Sequence, residues 1–190
     1  RSGAAKGLLT KPPLGCRLRP VEPGEPFYMS ERSCGACGLC CKILPIPHFQ
    51  KPAGPWCVHS RPGKGCSIYA DRPQPCRDFT CGWIRIPEMG DELRPDRCHF
   101  IVRADEQPKV VRFDVDPAYP GTVASKALTN LRQGLNSQGF TIIVNLGASG
   151  TVHYPDGTER PLIVAESMEA AETEVARRGL AGGDYYVQLP

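Results

Sequence analysis

A chain of 190 residues suits one domain or two small ones, and no stretch of it approaches the roughly 18 apolar residues of a membrane span. Its formal charge of +3 is uneven: residues 1–97 hold 15 Lys and Arg against 9 Asp and Glu, and residues 98–190 hold 8 against 11. Nine of the ten cysteines and 14 of the 20 prolines also lie before residue 98, so that half has too little ordinary core and needs another staple. Eight thiolates on two divalent ions would remove eight charges and return four, turning +3 into −1. Net charge therefore does not mark nucleic acid as a partner.

Residues 1–30 read as an N-terminal arm rich in Pro and Gly. Pro12, Pro13, Pro20, Pro23 and Pro26 fix φ and remove amides, which argues against a helix or a central strand. Cys16 stands alone there and reads as a free thiol. The first ten residues carry no long apolar run, so no secretory signal is expected and a cytoplasmic location is.

Residues 31–97 read as a cysteine-rich metal-binding module. Its head is Cys34-Gly35-Ala36-Cys37-Gly38-Leu39-Cys40-Cys41. A C-x-x-C step can turn two sulfurs toward one ion, the glycines let the backbone fold tightly, and a third C-x-x step adds a ligand. Cys41 directly follows Cys40, so its side chain is expected to point elsewhere, toward a second ion. An irregular stretch then runs to residue 65 and contains Trp56-Cys57-Val58-His59. His59 is not needed as a ligand, because eight thiols satisfy two tetrahedral sites.

Cys66, Cys76 and Cys81 follow, with Ile68, Tyr69, Phe79 and Trp83 as a candidate apolar shell. Short helical turns are expected at 67–71 and 75–79. Arg72 and Arg77 admit a structural role, hydrogen-bonding backbone carbonyls, Asp71, Asp78 or thiolate sulfur. They also admit a cofactor-binding role as an anion clamp beside the metal. Residues 84–97 read as a polar connector.

Residues 98–190 read as a small α+β domain. Cys98 is expected to be a small buried residue at the head of a strand. Strands are expected at 100–102, 110–115, 140–146, 151–154 and 161–164 from apolar runs and alternation. Residues 122–137 carry Val123, Ala127, Leu131 and Leu135 at four-residue steps, a helical face. Gly147-Ala148-Ser149-Gly150 and Pro155-Asp156-Gly157 read as hairpin turns. Ser167 is expected to cap a helix that Gly179 stops near residue 178. The fold class is thus α+β: an irregular metal-stapled module, then a small, mainly antiparallel sheet with two helices.

The pattern over residues 34–83 resembles the CxxCxxCC zinc- or iron-chelating domain family of the YkgJ type. CGACGLCC at 34–41, GCSIY at 65–69, RPQPCRDF at 72–79, and Cys81 with Trp83 carry that resemblance. It implies metal ligation by Cys34, Cys37, Cys40, Cys41, Cys66, Cys76 and Cys81. Cys57 is added from its position between the clusters and the need for an eighth ligand. A related cysteine motif in flagellin lysine methylases implies that an iron–sulfur cluster is chemically reasonable. This chain is much shorter than such a methylase, and no methyl-donor site can be placed in it.

Zinc and iron–sulfur both take four thiolates in tetrahedral array. The expected cofactor is zinc, as two ions, with iron or a [4Fe-4S] cluster as the alternative. The function expected is a metal-binding protein whose partners are metal ions and a protein docked on the module. The alternative is an iron–sulfur redox or accessory enzyme acting on a small anionic substrate. Ten cysteines in a secreted chain would suggest five disulfides instead. The tight cluster and the Cys-poor second half argue against that.

Overall fold

Short turns dominate the computed structural model before residue 98, and regular strands dominate after it. The structure describes residues 32–105, 107–181 and 185–188. The expected arm, with Cys16, lies outside them. The first half contains α1 (Leu39–Ile43), a two-stranded antiparallel ribbon of β1 (Ser60–Arg61) and β2 (Gly65–Cys66), α2 (Gln74–Asp78), α3 (Gly82–Arg85) and α4 (Pro95–Cys98). The second half contains β3 (Phe100–Ala104), β4 (Val110–Val115), α5 (Lys126–Asn136), β5 (Thr141–Leu146), β6 (Ser149–His153), β7 (Glu159–Val164), α6 (Met168–Arg178) and β8 (Tyr186–Gln188).

The six strands β3 to β8 lie in chain order in one sheet. Adjacent strands joined by hairpins are antiparallel; β4–β5 and β7–β8 are parallel because α5 and α6 carry the chain across. The sheet is therefore mainly antiparallel, as expected. Pairing of Ile143 with Val152 and of Ser149 with Ile163 puts Ile142, Val144 and Ile163 on one face. Both helices pack on that face: Leu128, Leu131 and Leu135 of α5 on one half, Ala171 and Val175 of α6 on the other. Ile143, Val152 and Leu162 cluster on the opposite face.

Several boundaries differ from expectation for identifiable reasons. The helix expected over 122–137 begins only at Lys126, because Pro120–Ala124 forms a separate 3-10 turn and the Ser125 hydroxyl caps α5 by accepting from the Leu128 amide at 3.2 Å. Val123 is consequently off the apolar face and 38% exposed. Ser167 and Gly179 do bound α6, the serine accepting from Ala170 N and the glycine adopting φ +65. The second strand of the last βαβ unit, β8, was not expected. Its three residues are too few for a pattern and are held by pairing with β7.

The connector over 84–97 is polar in composition yet folded. Met89 is 1% exposed, and Ile86 and Leu93 pack beside it. Cys98 ends α4 rather than heading a strand, because His99 takes a left-handed φ of 61 and turns the chain. The Cys98 thiol is half-buried and donates to Leu93 O and Phe100 O; burial pushes it up to about 12.

One apolar core joins the two halves. Leu39 and Ile43 of α1, Trp83 of α3 and Met89 pack with Phe100, Val102, Phe113 and Leu128. Gly82 makes that contact possible: a Cβ there would lie 3.0 Å from Val102 Cβ and 3.1 Å from Val102 O. A buried ion pair adds to it, Lys42 Nζ to Asp116 at 2.6 Å, with Asp116 2% exposed. Among the described residues no helix is long and apolar enough to cross a membrane.

Candidate metal centre

The C-x-x-C step at the head of the module is a closed turn. Cys37 N donates to Cys34 O at 2.9 Å across Gly35, whose φ of +47 is left-handed. The chain then enters α1, which carries Cys40 and Cys41 on consecutive positions. Cys57 N donates to Cys41 O at 2.9 Å, so the irregular loop returns to α1. Ser60 pairs with Cys66 across the β1–β2 ribbon. Gly65 is required beside it: its φ is +87, and a Cβ would lie 2.4 Å from Gly35 O. Cys76 sits in α2, and Cys81 immediately precedes α3.

These turns arrange the sulfurs around two adjoining cavities. The larger, about 140 Å³, is lined by seven of the eight expected ligands, all but Cys81. The smaller, about 20 Å³, is lined by Cys34, Cys37, Cys40 and Cys81. Cys41, Cys57, Cys66 and Cys76 therefore border only the larger space, and Cys81 only the smaller. Cys34, Cys37 and Cys40 border both. Apolar side chains complete the walls: Ile46, Phe49, Ile68 and Phe79 for the larger, Trp83, Ile84 and Ile101 for the smaller.

Eight soft donors in apolar surroundings suit zinc or an iron–sulfur centre. No three Cys, His, Asp or Glu side chains among the described residues converge as ligands of one ion. The donor types fit a metal.

The thiols differ in acidity. Cys40 and Cys41 sulfurs lie 4.0 Å apart. The hydrogen bond from Cys40 pulls the Cys41 thiol down to about 7, helped by the positive charges of Lys51 and Arg72. The same bond, with burial, pushes Cys40 up. Burial is the main cause that raises Cys37, Cys76 and Cys81; at Cys76 the neighbouring Cys41, Cys57 and Cys66 add to it.

Arg72 and Arg77 brace the loop that leads to Cys76. Arg72 Nε donates to Tyr69 O at 2.9 Å, and its guanidinium lies 3.6 Å from the Tyr69 ring centre. Arg77 Nε donates to Arg72 O at 2.6 Å. Arg72 borders the larger cavity, as does His59, whose ring packs against Phe49. Arg77 borders neither.

Three residues were not singled out from the sequence as polar parts of the site. Lys51, 8% exposed, donates to the carbonyls of Lys42, Leu44 and Pro52 at 2.7–2.9 Å. It places a cation at the end of α1, beside Cys41 and Cys57. The Ser60 hydroxyl is buried beside Cys41, and the Cys41 thiol is its one polar neighbour of note among the described residues. The buried Trp83 indole N–H is unpartnered among them. A lysine in a Pro-rich loop carries no signal of burial, and none was available for Ser60.

No family model matches the chain, and neither the curated proteins nor the solved structures include a match to it.

Proposed function

We propose that this chain is a metal-binding protein that coordinates zinc or iron through two groups of cysteine thiolates. One observation carries the reading: eight thiols from separate turns over residues 34–81 all line two adjoining cavities. Undirected burial of cysteine would scatter the sulfurs through the core, as it leaves Cys98. The resemblance of residues 34–83 to the CxxCxxCC family supports seven of these ligands, all but Cys57.

The grouping follows from the linings. Cys81 reaches a four-thiolate site only by taking all three shared thiols, Cys34, Cys37 and Cys40. That leaves Cys41, Cys57, Cys66 and Cys76 as the second set. A metal bound there supplies a cross-link, or electron transfer if it is an iron–sulfur cluster. The chain's own contribution is to exclude water with Phe49, Phe79 and Trp83 and to offset thiolate charge with Lys51.

Anaerobic purification followed by metal analysis tests this. The wild type is expected to retain metal at both sites, Cys81→Ser and Cys76→Ser each to lose one site, and Cys98→Ser to retain both. A reduced, folded wild type that binds less than one metal atom per chain would refute the reading.

A second reading, an iron–sulfur accessory enzyme acting on a small anion, is favoured by Arg72 at the edge of the larger cavity. Arg72→Gln is expected to weaken binding of inorganic phosphate or a small carboxylate to the loaded protein several-fold, with metal content unchanged. Equal binding by both proteins, or no binding by the wild type, sets this second reading aside.

A further inference from the structure

The two cavities differ in size far more than their donor sets do. Each is assigned four thiolates, yet one encloses about 20 Å³ and the other about 140 Å³. A water-sized body needs on the order of 10–15 Å³ by this kind of measure, so the smaller space accepts one atom-sized occupant and the larger on the order of ten. Resting on the metal-binding reading above, we propose that the two sites hold different cofactors. The smaller site takes a single divalent ion on Cys34, Cys37, Cys40 and Cys81. The larger takes a polynuclear iron–sulfur cluster on Cys41, Cys57, Cys66 and Cys76.

The walls agree with this division. The smaller cavity lies against the shared core, between Trp83 and Ile101, each less than one-tenth exposed. Four thiolates around one ion are the arrangement of structural zinc, with Zn–S of about 2.3 Å.

The larger cavity has about seven times the volume of the smaller. Its four exclusive thiols come from α1, the Cys57 loop, the β1–β2 ribbon and α2. The β1–β2 ribbon is already in contact with the Cys34 turn, through the approach of Gly65 to Gly35 O. Thiolates spread around a wide cavity suit a cluster whose own sulfide ions fill the centre. Sulfurs of a cluster accept hydrogen bonds that tune its potential. The buried Ser60 hydroxyl, beside the Cys41 sulfur, is a donor of that kind.

The test uses the whole chain, purified without oxygen and reconstituted with iron, sulfide and zinc. About one zinc and about four each of iron and acid-labile sulfide are expected per chain. X-ray absorption of the wild type should give a zinc shell of sulfur alone and iron–iron scattering at the iron edge. Cys81→Ser should lose zinc and keep iron and sulfide, and Cys76→Ser should do the reverse. Two zincs with no sulfide would overturn this inference and leave the metal-binding reading standing. Cluster at both sites, or loss of iron in Cys81→Ser with iron retained in Cys76→Ser, would also overturn it. Absence of any bound metal would overturn both. The wild-type stoichiometry and spectra decide the matter even if either variant fails to fold.

Discussion

Lys51 places a positive charge, 8% exposed, against three backbone carbonyls, and among the described residues it has no carboxylate partner. A buried cation is tolerated only where acceptors or opposite charge meet it. Here the carbonyls at the end of α1 do so directly, and the acidic Cys41 thiol nearby adds to it. Lys51→Met strands at least the Leu44 and Pro52 carbonyls, so it is expected to cost about 2–4 kcal/mol in chemical denaturation. It should also raise the Cys41 thiol, read as a shift to higher pH in alkylation of the metal-free protein. An unchanged alkylation profile would show that the lysine does not act on the thiolate.

The thiols themselves predict a pH dependence. Cys37, Cys40, Cys76, Cys81 and Cys98 are raised above the ordinary 9.0, whereas Cys41 is lowered to about 7. A raised thiol stays protonated in the fold where the unfolded chain ionises, so its stabilisation is complete below pH 9.0 and lost above it. Cys41 has the opposite sign: its contribution is present above pH 9.0 and lost as pH falls through about 7. Five groups outweigh one, so the reduced, metal-free chain should be less stable at about pH 10 than at about pH 8. Guanidinium midpoints at the two values check this. With metal bound the order reverses toward acid, because protons compete for the thiolates.

At the scale of elements, α1 is where the cysteine-rich module and the sheet meet. Its five residues have separate duties: Leu39 and Ile43 enter the shared core, Cys40 borders both cavities, Cys41 the larger one, and Lys42 pairs with Asp116. Lys42→Met leaves Asp116 buried without its cation and is expected to cost about 3–5 kcal/mol. Adding Asp116→Asn should recover part of that loss, and a double-mutant cycle by denaturation measures how much. Gly82→Ala forces a Cβ within 3.0 Å of Val102 and should cost about 1–3 kcal/mol by pushing α3 from β3. Because Cys81 adjoins Gly82, zinc at the smaller site should exchange faster in that variant than in the wild type.

Elements with strong periodicity were legible in the sequence. The 110–115 alternation, the Phe140–Leu146 run and the Ser167-to-Gly179 helix all lie close to where their residues put them. The cysteines that line the two cavities were also singled out, since clustered cysteines announce themselves by spacing. The start of α5, the folded connector and β8 were not, because a cap, a left-handed His99 and a sheet partner decided them. Lys51 was invisible for a related reason: its partners are carbonyls, which every residue possesses.

Across the whole molecule, the cysteine-rich module does not stand apart from the sheet. Trp83, Leu39 and Ile43 bury against Phe100, Val102 and Phe113, so loss of metal should loosen the module without detaching it. Treatment with a chelator under reducing conditions is expected to expose amides in the loops over 45–80 to hydrogen exchange. Protection in β4, β5 and α5 should persist. If those strands lose protection together with the loops, the metal holds the entire fold and the two parts unfold as one.

The sequence by itself determined the class of the protein: an α+β chain with a Pro/Gly/Cys-rich half short of core and eight sulfurs in a metal-ligating pattern. Composition and local spacing suffice for that, because donor type and periodicity are properties of short segments. The tertiary structure alone decided which sulfurs border the same cavity. Cys34, Cys37 and Cys40 lie within one heptapeptide, and Cys81 joins them around the smaller cavity from the head of α3, where Gly82 lets that helix sit against β3. It also decided that the two spaces differ in volume, since that depends on how α1, the β1–β2 ribbon and α2 pack around a centre that no local pattern encodes.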